Sequence, residues 1–245
     1  MSQELRKNLE TPMREKLCYI RGNLQEGVEV RHEGTGKYFV WISCTEYEPV
    51  AWNKDHIFDR EHYYIPEEVL RRRRNAVRNS GGFYLATSVM STKGFHLKGE
   101  MPHVNVNFMQ AKNAAEHLIE EKGMFSGLPD GAAYDQVLKR LIAVGAISRE
   151  DVYHSNQLGN YVDNPFGNYQ LEAIGSRPEW QIYHINDFFG NVAEWTEEYY
   201  GSGNSVYRDG NFYLKGWEDP VCMRSHIYQS FAANFLSFRV ALFLE

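Results

Sequence analysis

Residues 187–200 read DFFGNVAEWTEEYY, and the rest of the chain is best read outward from this stretch. Gly190 ahead of Asn191 supplies the permissive backbone of a tight turn. Val192 and Trp195, three residues apart, can point into one core. Asn191 and Glu194 are polar groups in an apolar setting, so once buried they must be hydrogen-bonded, and loop backbone is the partner they are expected to hold. A fold stapled in that way needs no disulfides. The three cysteines, Cys18, Cys44 and Cys222, form neither a CxxC pair nor a disulfide framework, which fits a reducing compartment.

Upstream of this stretch lies a long irregular run, Tyr153 to Pro178, and before it three helix patterns. IPEEVLRRRRNAVRN (65–79) places Pro66, Glu67 and Glu68 in a first turn and Arg71 to Arg74 in the later half, as a solvated basic face. Phe108 to Glu121 repeats Ala111, Ala114, Ala115, Leu118 and Ile119 at helical spacing, and Ala132 to Val144 is the third pattern. Gln3 to Arg21 carries Leu5, Leu9, Met13 and Leu17 on one helical face that could drive a homo-oligomer. YFVWIS (38–43) is the clearest strand. Downstream, aromatics and glycines dominate up to SFRVALFLE, where Arg239 is expected in a strand with its guanidinium satisfied inside the fold. Helices first and short strands later argue for an α+β fold, loop-rich with a few helices, rather than a βαβ alternation. No repeat or linker divides the chain. One domain over 1–245 is expected, with a helical N-terminal extension at 1–27.

Composition excludes several roles. With 245 residues, 43% of them hydrophobic and 14% aromatic, a packed core is within reach. Twenty-six basic against 32 acidic residues leave a net charge of −6, which offers no overall attraction to nucleic acid or anionic lipid. No run of eighteen apolar residues and no signal-peptide core occur, so no membrane insertion is expected. Synthesis in the cytoplasm follows, with display on a virion or cell surface left open.

The 187–200 stretch resembles the GNVWEWT signature of the formylglycine-generating-enzyme superfamily, with Gly190, Asn191, Val192, Glu194, Trp195 and Thr196 matching directly. Three further pieces follow the family's order. HVNVNFMQAKNAAEHL (103–118) looks like its VNVSWxDAxAYxxWL helix, and GLPDGAAYDQVL (127–138) looks like its RLPTEAEWEYA segment. VYRDGNF followed by SFRVAL looks like its RGGSW followed by GFR. The resemblance spans roughly 82–242 and implies a C-type-lectin-like fold.

The same resemblance implies that the enzyme chemistry is gone. Enzymes of this family bind copper through two neighbouring cysteines before the final GFR strand, whereas residues 216–239 here contain Cys222 alone. A lone thiol in a reduced protein is more often a small apolar filler. Relatives that form sulfoxides use a separate helical domain with a His-x3-His-x-Glu iron motif, and none occurs here. The pairs His56 with His62 and His96 with His103 do not have the spacing of two ligands on one helical face. No catalytic residue, metal or cofactor is therefore expected. Two alternatives stay open: a divergent oxidase using Cys222, and a Ca²⁺-dependent sugar-binding lectin, with structural Ca²⁺ on Asp187, Asn191 and Glu194.

The C-terminal segment carries more aromatics than an irregular loop surface can bury, spaced by glycine and asparagine as in recognition surfaces. Tyr207, Asn211, Phe212, Tyr213, Leu214, Trp217, His226, Ile227, Tyr228, Phe231 and Phe235 are the candidate ligand-binding residues, within a segment at 205–240. This position in the fold resembles that of the variable proteins of diversity-generating retroelements, in which adenine-directed mutagenesis rewrites AAY codons. Phe212, Tyr213, Leu214, His226, Ile227, Tyr228, Phe231 and Phe235 are reachable from AAY. Lys215, Trp217, Glu218, Met223 and Gln229 are not. The resemblance implies a non-enzymatic variable protein that binds a protein or glycan ligand.

Overall fold

The computed structural model describes residues 16–52, 62–95 and 98–245, apart from the side chains of residues 94 and 95. In chain order, β1 (Leu17–Asn23), β2 (Gly27–His32) and β3 (Tyr38–Ser43) form a meander, and β4 (Tyr63–Tyr64) precedes α1 (Glu67–Ser80) and β5 (Gly82–Ala86). A small hairpin, β6 (Met90–Ser91) and β7 (Gly94–Phe95), leads to α2 (Phe108–Glu116), then β8 (Glu120–Glu121), β9 (Met124–Gly127) and α3 (Gly131–Ala143). After the irregular run come β10 (Gln181–Ile182) and β11 (Ile185–Asn186), β12 (Ala193–Tyr200), β13 (Asn204–Arg208), β14 (Arg224–Tyr228), β15 (Leu236–Phe238) and β16 (Ala241–Leu244).

Among these residues the larger sheet has the order β1-β2-β3-β5-β16-β9-β8, so the last strand of the chain is clamped in its middle. The second sheet runs β14-β13-β12-β15, with β4 paired to the far end of β12. Because strand side chains alternate, β3, β5 and β16 feed two cores at once. Val40, Ile42, Phe83, Leu85 and Phe243 enter one core, beneath Ala76 and Val77 of α1 and Val137, Leu138 and Leu141 of α3. Phe39, Trp41, Tyr84, Leu242 and Leu244 enter the other, beneath Phe108, Ala111 and Ala115 of α2 and beside Trp195. Both faces being covered explains why YFVWIS and ALFL lack polar alternation. Each such buried side chain contributes about 1.5–3 kcal/mol relative to exposure.

Several expectations change here. α1 starts where Pro66 and the two glutamates place it and ends at Gly81, whose φ of 80° lets its N–H reach the Val77 carbonyl. Its arginines are not one solvated face: Arg73 is buried, because Asp130 at the start of α3 and Glu197 of β12 both meet its guanidinium. α2 begins at the Asn107–Gln110 capping box but stops at Glu116 rather than Glu121. There the Ser126 hydroxyl takes the Ala115 carbonyl and accepts from the Ile119 N–H, turning the chain into β8. α3 starts one residue early because Asp130 caps the Ala133 N–H. The helical face foreseen over Gln3–Arg21 does not reach its end, since Leu17–Asn23 is strand β1 in the main sheet. A four-residue apolar spacing fits period two as well as period 3.6, which is why the pattern misleads. Residues 3–15, with the oligomer contact foreseen on them, lie outside the described residues, as do His56 and His96. No described helix is long and apolar enough to cross a membrane.

Candidate ligand-binding face

The face is carried by a scaffold of buried polar groups. Gly190 and Asn191 both have positive φ, 74° and 64°. A Cβ on Gly190 would stand 2.7 Å from the Asn160 carbonyl oxygen, so no larger residue fits this turn. The Asn191 amide holds the irregular run: Oδ1 accepts from the Glu172 N–H (3.0 Å) and Asn160 Nδ2 (3.0 Å), while Nδ2 donates to the Glu172 carbonyl (3.1 Å). Glu194 takes two nitrogens of Arg239, at 2.8 and 3.0 Å, and Arg239 also donates to the carbonyls of Ala86 and Asn186. Arg239 stands between β15 and β16 rather than within a strand, the position from which its guanidinium spans both sheets. Trp195 is fully buried and donates to the Val106 carbonyl at 2.9 Å. Val192 joins a separate small core with Val89 and Ile174, because the turn at 190–191 rotates it away from Trp195.

A second knot fixes the strands that carry the face. Asp135 of α3 is fully buried and accepts from Arg208 (2.7 Å), Arg224 (2.6 Å), Trp52 Nε1 (2.8 Å) and the Val50 N–H (2.7 Å). Burial pushes its carboxyl up, but the two guanidiniums outweigh that and hold it below the usual carboxylate range. Arg224 also binds Glu198 at 3.0 Å, and Arg208 reaches the carbonyls of Gly131 and Cys222. Arg73 bridges Asp130 and Glu197, and Lys112 completes this group on Glu197. These contacts do the work of disulfides.

The candidate ligand residues fall on β13, on the exposed strand β14 and on the turns beside them. Tyr213 (42% exposed), Leu214 (38%), Trp217 (51%) and Tyr228 (57%) face outward, and His226 is exposed as well. Tyr207, Ile227, Phe231 and Phe235 are half-buried along the edge of the core that contains Trp195. Asn211 and Phe212 are buried, at 2% and 3%, which removes them from the exposed face. Their reason is local: the Asn211 side chain accepts from the Tyr213 N–H, a turn that folds Phe212 inward beneath the Tyr213 ring, 4.1 Å away. Tyr213 is held by Asn234 and stands edge-on to Phe235, and Tyr228 stands edge-on to Phe231.

The face extends beyond the segment read from sequence. His226 stacks on Tyr200 with centroids 3.6 Å apart, and Tyr63 meets Tyr200 at 4.7 Å while donating to the Arg224 carbonyl. Pairing of β4 with β12 brings Tyr63 there from more than 160 residues away, and nothing in the C-terminal segment signals it. Burial lowers the pKa of His226, so its neutral ring is favoured against Tyr200.

Cys222 is fully buried, and burial pushes its thiol up to about 12, the opposite of what a reactive thiolate requires. Of the oxygen ligands considered for Ca²⁺, Asn191 and Glu194 are engaged as described. Asp187 accepts from the Gly175 N–H at 2.8 Å through one oxygen and leaves the other, Oδ1, without a partner. Burial raises its carboxyl to about 6.

With α+β layers, two linked sheets and long loops beside an exposed ribbon, the chain has a C-type-lectin-like fold. Treponema denticola variable protein 1 superimposes on it with a TM-score of 0.50 at 15% identity, over 83% of this chain and 95% of that one. CarF (TM-score 0.49, 13% identity, 67% of this chain and 87% of that one) and PvdO from Pseudomonas aeruginosa (0.47, 14%, 67% and 82%) are also similar. No protein-family model and no curated protein sequence matches the chain.

Proposed function

We propose that this chain is a variable ligand-binding protein, whose face around Tyr213, Leu214, Trp217, His226 and Tyr228 takes a protein or glycan ligand. One observation carries the reading: large aromatic side chains stand exposed on an edge ribbon and its turns, directly above a scaffold locked by buried ion pairs. Rigid rings on a rigid support give contact area at little entropic cost. Likeness in fold to a variable protein at 15% identity supports it, as does the codon chemistry of Tyr213, Leu214, His226 and Tyr228, while Trp217 would be a fixed member of the face. The buried, high-pKa thiol of Cys222 supports a binding role over an oxidase.

Deep sequencing of codons 205–240 from a natural population tests it. Substitutions should gather at residues 213, 214, 226, 227, 228, 231 and 235, while Gly190 to Trp195 and Phe238 to Leu242 stay constant. Phe212 is reachable from AAY but buried, so it should stay large and apolar. Uniformly low variation across the segment would refute diversification.

A further inference from the structure

A cavity of about 440 Å³ lies between α1, the end of α2 and the β8–β9 hairpin, and it shares no residue with the ligand face. Its volume falls within the range of small-molecule sites, about 300–1,000 Å³. Ile119, Met124 and Phe125 give it an apolar strip, with the Phe125 ring stacked on Phe243 at 5.2 Å. At the end of β9, Gly127 adds no side chain. A Cβ there would stand 3.0 Å from Arg73 Nη2 and press on the arginine that lines the cavity.

The polar lining is unequal in charge and in depth. Among the described residues, five glutamates line the cavity against two arginines, Arg72 and Arg73. Lys112 pairs with Glu116 at 2.9 Å and Lys16 with Glu121 at 2.7 Å, which leaves five carboxylates against four cations. Glu116 and Glu120 stand at the rim, their side chains 38% and 66% exposed. Arg73 and Glu197 are buried. Arg73 donates through Nη1 to Asp130 (2.8 Å) and through Nη2 to Glu197 (2.5 Å), but its Nε has no acceptor. A buried N–H left in that way is costly, and an acceptor entering from the cavity would satisfy it.

The cavity thus offers an unfilled donor beside a carboxylate at its buried end, carboxylates in excess at its rim, and an apolar strip. A cationic group already lies on that strip: the Arg72 guanidinium sits 3.6 Å above the Phe125 ring and donates to Glu245 at 2.8 Å. An acidic rim alone would accept any cation, and the unfilled Arg73 donor is what selects a carboxylate. We propose that this cavity binds a free basic amino acid of the lysine or arginine type. Arg73 Nε takes its carboxylate, Glu197 its α-ammonium, the apolar strip its methylene stem, and Glu116 with Glu120 its side-chain cation.

Isothermal titration calorimetry on the full chain tests this, with L-lysine and L-arginine as probes. Both should bind, with a Kd of about 1 mM or tighter. Cadaverine, which is lysine without its carboxylate, and Nε-acetyl-lysine, which lacks the side-chain cation, should each bind about tenfold more weakly. Changing Glu116→Gln and Glu120→Gln together should weaken lysine about tenfold. Glu150→Gln, at an exposed carboxylate outside the cavity, should leave lysine binding as in wild type. No binding of either probe up to about 10 mM, cadaverine or Nε-acetyl-lysine bound as tightly as lysine, or lysine binding untouched by the double change overturns the proposal. None of these outcomes bears on the ligand face, whose residues do not line the cavity.

Discussion

Arg224 and Tyr228 point to the same side of β14, four residues apart, and yet follow opposite rules. Arg224 is buried, and its guanidinium donates to Asp135, Glu198 and the Val50 carbonyl. Tyr228 is 57% exposed and meets the Phe231 ring edge-on. One strand thus begins buried in the scaffold and ends exposed to solvent. The difference teaches that tolerance to change in this segment is set by what lies across from a residue, since α3 backs the first position and solvent the second.

The largest effect that could break this comparison is expected at Asp135. Asp135→Asn leaves Arg208 and Arg224 buried without their shared carboxylate and should cost about 3–5 kcal/mol, measured by urea unfolding. The pH dependence follows in sign. A carboxyl held below its unfolded value contributes stability above about pH 4 and loses it as pH falls through the depressed folded value. Wild type should therefore lose stability more steeply below pH 4 than Asp135→Asn does.

Phe212→Ala sharpens the comparison from inside the segment. At 3% exposure Phe212 should behave as core and lose about 3 kcal/mol, although its neighbours belong to the face. A loss below about 1 kcal/mol would place it on the surface instead. The smallest stability effects are expected at Trp217→Ala and Tyr228→Ala, within about 0.5 kcal/mol of wild type. The same two changes should each weaken ligand binding about tenfold or more once a ligand is in hand, as exposed aromatic anchors do. Equal loss of stability and binding would argue that these rings hold the fold and do not serve recognition.

Much of the scaffold was legible in advance. The turn at Gly190–Asn191, the loop-holding amide of Asn191 and the internal satisfaction of Arg239 follow from residue chemistry alone, because a buried amide, carboxylate or guanidinium has few ways to be satisfied. The face was legible only as a list of aromatics. Its members separate into exposed Tyr213, Trp217 and Tyr228, half-buried Ile227 and Phe235, and buried Phe212, and composition cannot sort them. Nor could it place Tyr63 beside His226.

What the sequence by itself determined is local: turn backbone, helix starts and caps, strand alternation, and the need for every buried polar group to find a partner. Only the tertiary structure decided which arginine of Arg71–Arg74 is buried, which aromatics face outward and which carboxylates meet a cation. Burial is a property of the segments that pack over a residue, and here those segments come from opposite ends of the chain.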